Sequence, residues 1–162
     1  MALDFPTSPS VNDLYTDSGR TWRWNGTGWA MLPGPPPGID DWFVIAVSDE
    51  STDLATGPDK VYFRMPYAGT LLAVRASVNT APTDANIEVD IYKNTGGGPV
   101  SVLSTVLSID ASETTSTTAA VPAVISDSAL ADDAEITIDI DQVGSTIKGK
   151  GLKVYLKTRR SA

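Results

Sequence analysis

The stretches "NIEVDIYK" (86–93), "EITIDID" (135–141) and "LKVYLK" (152–157) alternate apolar and polar residues with a period of two, and this alternation limits the fold more than any other feature. Successive side chains of an extended strand point to opposite faces. Each run therefore offers one apolar row: Ile87, Val89 and Ile91; Ile136, Ile138 and Ile140; Leu152, Val154 and Leu156. Glu88, Asp90 and Tyr92 point the other way. "KVYFRM" (60–65) likewise separates Val61, Phe63 and Met65 from Tyr62 and Arg64, and "TLLAVRASV" (70–78) turns Leu72, Val74, Ala76 and Val78 inward. "VSVLSTVLSI" (100–109) is a further strand, and the nearly continuous apolar run "WFVIAV" (42–47) reads as a fully buried one. Turn signals separate them: "TGPD" (56–59), "NTAPTD" (79–84), "NTGGGP" (94–99) and "VGSTIKGKG" (143–151). Short strands at this spacing predict an all-β protein, an antiparallel sandwich of jelly-roll-like type, over residues 41–162. Strand order stays open between a jelly roll and an immunoglobulin-like arrangement. The Ser/Thr run "ASETTSTTAA" (111–120) reads as a polar edge strand or a mobile loop, with the strand the favoured expectation because threonine favours strands. "DSALADDA" (127–134) is expected to contain a helical turn within a crossover.

Ahead of the sandwich, "GRTWRWNGTGW" (19–29) holds three of the chain's four tryptophans. Asn25–Gly26 is a strong hairpin signal. A two-residue turn there pairs Trp24 with Thr27, Arg23 with Gly28 and Trp22 with Trp29. Trp22, Trp24 and Trp29 then share one face, which Arg20 and Met31 extend. A lone ribbon cannot bury three indoles, and "LYTD" (14–17) is too short to hide them. Something must cover the face: a local mini-core, the sandwich or a sister subunit, another protein, or a sugar. The expected partner-binding set is Trp22, Trp24, Trp29, Arg20, Arg23, Tyr15 and Met31. "PGPPPG" (33–38) favours an extended, semi-rigid polyproline II segment. The chain thus divides into an arm (1–32), a linker (33–40) and the sandwich (41–162).

Composition narrows the chemistry. The sequence has no histidine and no cysteine, so thiolate and imidazole metal sites, disulfides and histidine-based hydrolase triads are excluded. Among carboxylates, Glu88 and Asp90 share one strand face and Glu113 lies in the Ser/Thr run, with no sign of the cleft a glycosidase pair needs. Asp132, Asp133, Glu135, Asp139 and Asp141 do not follow a calcium-loop spacing, and the last two alternate with isoleucines as an outer strand face would. "GGG" (96–98) lacks the Gly-Lys-Ser/Thr ending of a phosphate loop, and "NGT" (25–27) reads as a turn rather than a glycosylation acceptor. The expectation is no enzyme, no catalytic residues, no cofactor and no metal.

The net charge is −8, but it is unevenly placed. Lys148, Lys150, Lys153, Lys157, Arg159 and Arg160 stand in the last fifteen residues without an acid, so residues 1–147 hold the other six basic and all 20 acidic residues, a net of −14. An acidic body repels nucleic acid. The basic run either reaches an acidic neighbour or guards an edge strand against aggregation. No apolar run has the length of a membrane span. "MALDFPTSPS" lacks the basic and apolar regions of a secretory signal, which predicts synthesis in a cytoplasm.

"YTDSGRTWRWNGTGW" (15–29) resembles a short module of structural proteins of tailed bacteriophages, through Tyr15, Thr16, Gly19, Arg20, Thr21, Trp22, Trp24, Asn25, Gly26, Thr27 and Trp29. "FRMPYAGTLLAVRASVNTAP" (63–82) with 123–156 is similar to a small β domain of phage virion proteins. The resemblance implies a non-enzymatic virion component, trimeric, synthesised in the host cytoplasm and carried on the capsid exterior. As a capsid decoration (cement) protein it would bind the major capsid protein through the arm and stabilise the assembled head. The alternative it implies is a receptor-binding or fibre-tip module that recognises host surface glycans.

Overall fold

The structure is a computed structural model that describes residues 4–17, 20–32, 38 and 40–161. Apart from Gly38, the expected polyproline segment lies outside the described residues. The arm contains β1 (Leu14–Asp17), β2 (Arg20–Trp24) and β3 (Trp29–Met31), paired in that order as an antiparallel sheet. The remaining elements are β4 (Asp40–Ala46), β5 (Gly57–Arg64), β6 (Gly69–Ser77), β7 (Ile87–Asn94), β8 (Val100–Ser101), β9 (Leu103–Thr105), β10 (Leu107–Ile109), a 3-10 turn (Ser116–Thr118), β11 (Val124–Ile125), β12 (Ala129–Leu130), β13 (Glu135–Gln142) and β14 (Lys153–Arg160).

Two four-stranded antiparallel sheets build the sandwich, one ordered β12-β6-β14-β4 and the other β10-β7-β13-β5. Short β8 adds to β7, and β11 pairs with β9. Numbered along the chain as eight principal strands, the first sheet reads sixth, third, eighth, first and the second reads fifth, fourth, seventh, second. That is the strand order of a jelly roll, which resolves the alternative left open by the sequence.

The period-two rows face one another as expected. Ile87, Val89, Ile91, Ile136, Ile138, Ile140, Leu152, Val154 and Leu156 are all buried in one core cluster, together with Met65, Val102, Leu107 and Ile109. Val61 and Phe63 pack on its margin. The row of β6 departs from strict alternation. Opposite β14, Lys157 pairs with Ala73 and Thr158 with Leu71, so Leu72 is an extra residue in the ladder. A bulge of this kind reverses the faces beyond it. Leu71 is therefore buried in place of the expected Leu72, while Val74, Ala76 and Val78 point inward as expected.

Three expectations are corrected. "WFVIAV" forms β4, which is not a fully buried strand but the end strand of its sheet. Phe43 and Ile45 pack inward, whereas Trp42 and Val44 are 44% and 61% exposed. Run composition cannot separate an edge strand with two apolar faces from a central one. Residues 111–120 are not a strand. They contribute one bridge, Ser77 to Thr115, and then turn through the 3-10 segment, where Ser116 Oγ accepts the Ala76 N–H at 2.8 Å. Serine and threonine hydroxyls compete for backbone groups and favour such turns. Residues 127–134 hold β12 and a tight turn with Asp133 at φ 58° instead of a helical turn.

Ile138 is fully enclosed between the sheets. Ile138→Ala is expected to cost about 2–5 kcal/mol through lost burial and a residual cavity, read as a lower urea midpoint with an unchanged slope.

Candidate partner-binding site

The arm's hairpin closes differently from the expected two-residue turn. Trp24 pairs with Trp29, Arg23 with Ala30 and Trp22 with Met31, leaving the four residues Asn25–Gly28 as the loop. Asn25 holds the loop together: its Oδ1 accepts the Thr27 and Gly28 N–H groups at 2.9 Å each and the Thr27 hydroxyl at 3.0 Å. Gly26 sits at φ 100°, a conformation that disfavours a side chain. The register differs from the expected one by two residues. A shift of two keeps every side chain on its face, so Trp22, Trp24, Trp29, Arg20 and Met31 still share one side. Tyr15, opposite Trp22 on β1, joins them.

The cover for the indoles comes from within the arm. Phe5, outside any strand, stacks on Trp29 with ring centres 5.4 Å apart and planes 12° apart. It meets Trp22 edge-on at 5.4 Å and Tyr15 at 5.0 Å. Trp24 leans on Trp29 at 5.6 Å. Aromatic pairs at these separations gain about 0.5–1.5 kcal/mol beyond burial. Trp22 is only 8% exposed, and among the described residues it is the one buried hydrophobic side chain outside the sandwich cluster. The arm thus has a small core of its own. Of the expected contact residues, Trp22 lies within that core, and Tyr15, Trp24 and Trp29 are half-buried around it. Arg20, Arg23 and Met31 are exposed, Met31 at 58%. Exposed Val11 and Leu14 add apolar surface that the expected set omitted. Phe5 was missed because it lies in a segment without periodicity, and only its contacts reveal its role.

The basic run at the C-terminal end also finds its partners at home. β14 lies between β6 and β4, so it is not an edge strand needing protection. Asp40 takes both Lys157 at 2.8 Å and Arg159 at 2.7 Å. Lys153 pairs with Glu50, and Lys150 with Asp53 at 3.4 Å. Arg160 lies over the Tyr67 ring at 4.4 Å. The hydrogen bonds from Arg159 and then Lys157 pull the Asp40 carboxyl down to about 2. The acidic neighbour of this run is the strand β4 and the loop after it.

The carboxylates considered from the sequence are dispersed among structural duties. Arg64 takes Asp133 at 3.3 Å and Glu135 at 3.4 Å. Asp139 accepts the Asp59 N–H at 2.8 Å. Glu113 accepts the Thr118 hydroxyl. Asp90 points to the outer face as expected yet is 6% exposed, because β8 folds beside it and Ser101 donates to its Oδ1 at 2.7 Å. Burial, then the charges of Asp90, Asp139 and Glu88, raise the Asp141 carboxyl above its ordinary value. Among the described residues no group of three acidic side chains is disposed to hold a metal ion.

The fold defines the chain as an antiparallel jelly-roll sandwich preceded by a tryptophan-rich sheet. Comparison with protein families, with curated proteins and with solved structures found no match.

Phe5→Ala is expected to open the aromatic cluster, shifting tryptophan emission to longer wavelength while the urea transition of the sandwich stays in place. A second expectation concerns acid. A carboxyl depressed in the folded state stabilises above its unfolded value and loses that contribution as pH falls through its folded value. The Asp40 contacts should therefore hold above about pH 4 and fade toward pH 2. The Arg159 Nε–H resonance should move over that window, and the Asp40→Asn variant should show no such transition.

Proposed function

We propose that this chain is a non-enzymatic structural component of a bacteriophage particle, a decoration (cement) protein that binds the assembled head. The observation that carries the reading is the arm: a three-stranded sheet with its own aromatic core, set ahead of the jelly roll and joined to it through a proline-rich segment. A module that folds on its own aromatics is suited to hold a contact surface in shape. The tryptophans then build the arm, and contact with the major capsid protein falls to its rim, where Met31, Leu14 and Val11 lie exposed with Arg20 and Arg23. Apolar and arginine side chains together are typical of protein interfaces. A ligand that binds only the assembled shell stabilises it by mass action. A trimer would multiply weak contacts into avidity.

One observation favours a second reading, a receptor-binding or fibre-tip module for host surface glycans: an aromatic cleft on the sandwich beside Trp42 and Tyr155.

The purified protein would be added to undecorated heads, isolated tails and host cells in parallel. The expected result is saturable binding to heads, with a rise in the temperature at which they rupture. Trp22→Ala, which removes the centre of the arm's core, should lower that binding at least tenfold while the sandwich stays folded. Binding to tails or cells alone, or full head binding by Trp22→Ala, would overturn the cement reading.

A further inference from the structure

The outer face of the β12-β6-β14-β4 sheet carries an open cleft of about 290 Å³, close to the ~300 Å³ lower bound of small-ligand sites. Trp42 on β4, Tyr155 on β14 and Arg75 and Ser77 on β6 line it, and Thr115 and Thr117 close its far side. Three features show a formed site. Arg75 reaches across β14 and lies over the Trp42 ring, its guanidinium carbon 5.4 Å from the centroid. Such stacking holds a long, flexible side chain in one place. Tyr155 and Ser77 share a hydrogen bond of 3.0 Å. The 3-10 turn that presents Thr115 and Thr117 is pinned to β6 by the Ser77–Thr115 bridge and by Ser116 Oγ, and the two threonine hydroxyls lie 3.0 Å apart.

The charge balance of the cleft differs from that of the rest of the face. Lys153 on the same side of the sheet is paired with Glu50, and Lys157 and Arg159 share Asp40. Arg75 has no carboxylate partner among the described residues, and none of the side chains lining the cleft is acidic. In a chain of net charge −8, this guanidinium stands beside an indole and a group of hydroxyls.

We propose that this cleft binds an acidic sugar residue, a pyranose bearing a carboxylate. Each part of the ligand meets a matching group. The C–H face of the ring lies against the part of the Trp42 indole that Arg75 leaves exposed. The planar fork of Arg75 takes the carboxylate, which it can engage through two parallel hydrogen bonds. The hydroxyls of Tyr155, Ser77, Thr115 and Thr117 both donate and accept, as ring hydroxyls require. An inorganic anion would use the guanidinium and leave the indole idle. A neutral sugar would leave the charge unanswered. The site belongs to the sandwich, so it stands independently of what the arm binds. It gives the second reading above a definite ligand class.

The test is a titration of the nitrogen-15-labelled 162-residue chain with sodium glucuronate, followed by NMR, with glucose and sodium acetate as controls. The expected result is saturable shifts confined to Trp42, Arg75, Tyr155 and residues 115–117, with a Kd at least tenfold below that of either control. Trp42→Ala should abolish the shifts. Arg75→Lys, which keeps the charge and removes the fork, should weaken binding at least tenfold, and both variants should keep the remaining spectrum. Equal response to acetate would reduce the cleft to a general anion contact, and equal response to glucose would remove the role of Arg75. Either result, an absence of saturable shifts, or full binding by Arg75→Lys would overturn the proposal. Head binding reads the arm and this titration reads the sandwich, so either can fail without the other.

Discussion

Everything in the sandwich depends on two strands, β13 and β14, that lie inside their respective sheets and turn one apolar row each into the same interior. Ile136, Ile138 and Ile140 from one, and Leu152, Val154 and Leu156 from the other, are buried together. Each strand is held on both sides, by β7 and β5 in one sheet and by β6 and β4 in the other. The inner row of β14 ends in a polar residue, Thr158, which is fully buried. Its hydroxyl shares a hydrogen bond of 3.2 Å with Tyr67, whose hydroxyl also donates to Asp41 at 3.3 Å. A buried hydroxyl satisfied in this way avoids the desolvation cost it would otherwise incur.

The strands that could be read from the sequence were those with strict alternation, because one buried face imposes a period of two on any half-exposed strand. The failures have separate physical causes. Alternation carries no record of a bulge, so the exchange of Leu72 for Leu71 was invisible. The apolar run 42–47 looked central because composition does not report how many neighbours a strand has. In the Ser/Thr run, hydroxyl-to-backbone bonds outweighed strand propensity. In the arm, the shared face of the indoles survived an error in register because the error was even. A local mini-core is among the covers the sequence offers, but the part of Phe5 in it is not legible: Phe5 meets Trp22 and Trp29 across a gap in sequence that no spacing rule spans.

The positive run near the C-terminal end shows how a charge pattern can be real while its partner is misjudged. Six basic side chains without an acid suggest an external contact when read along the chain. Folding brings Asp40, Glu50 and Asp53 beside four of them. Exposed pairs of this kind contribute little individually, but their three carboxylates offset half of the six positive charges. What remains distinctive on that face is Arg75, which is legible only in three dimensions because its aromatic neighbour lies two strands away.

The jelly-roll order also governs how the chain can come together. β4 leads the sandwich in sequence, yet the strand it pairs with is β14, and the contact between Asp40 and Arg159 spans 119 residues. Non-local pairings of this span are slow to form. During synthesis, the apolar strand 42–47 leaves the ribosome long before any part of its partner exists. The nascent chain must carry that segment unpaired through the making of every other strand, the condition in which exposed apolar surface and open strand edges are prone to aggregate.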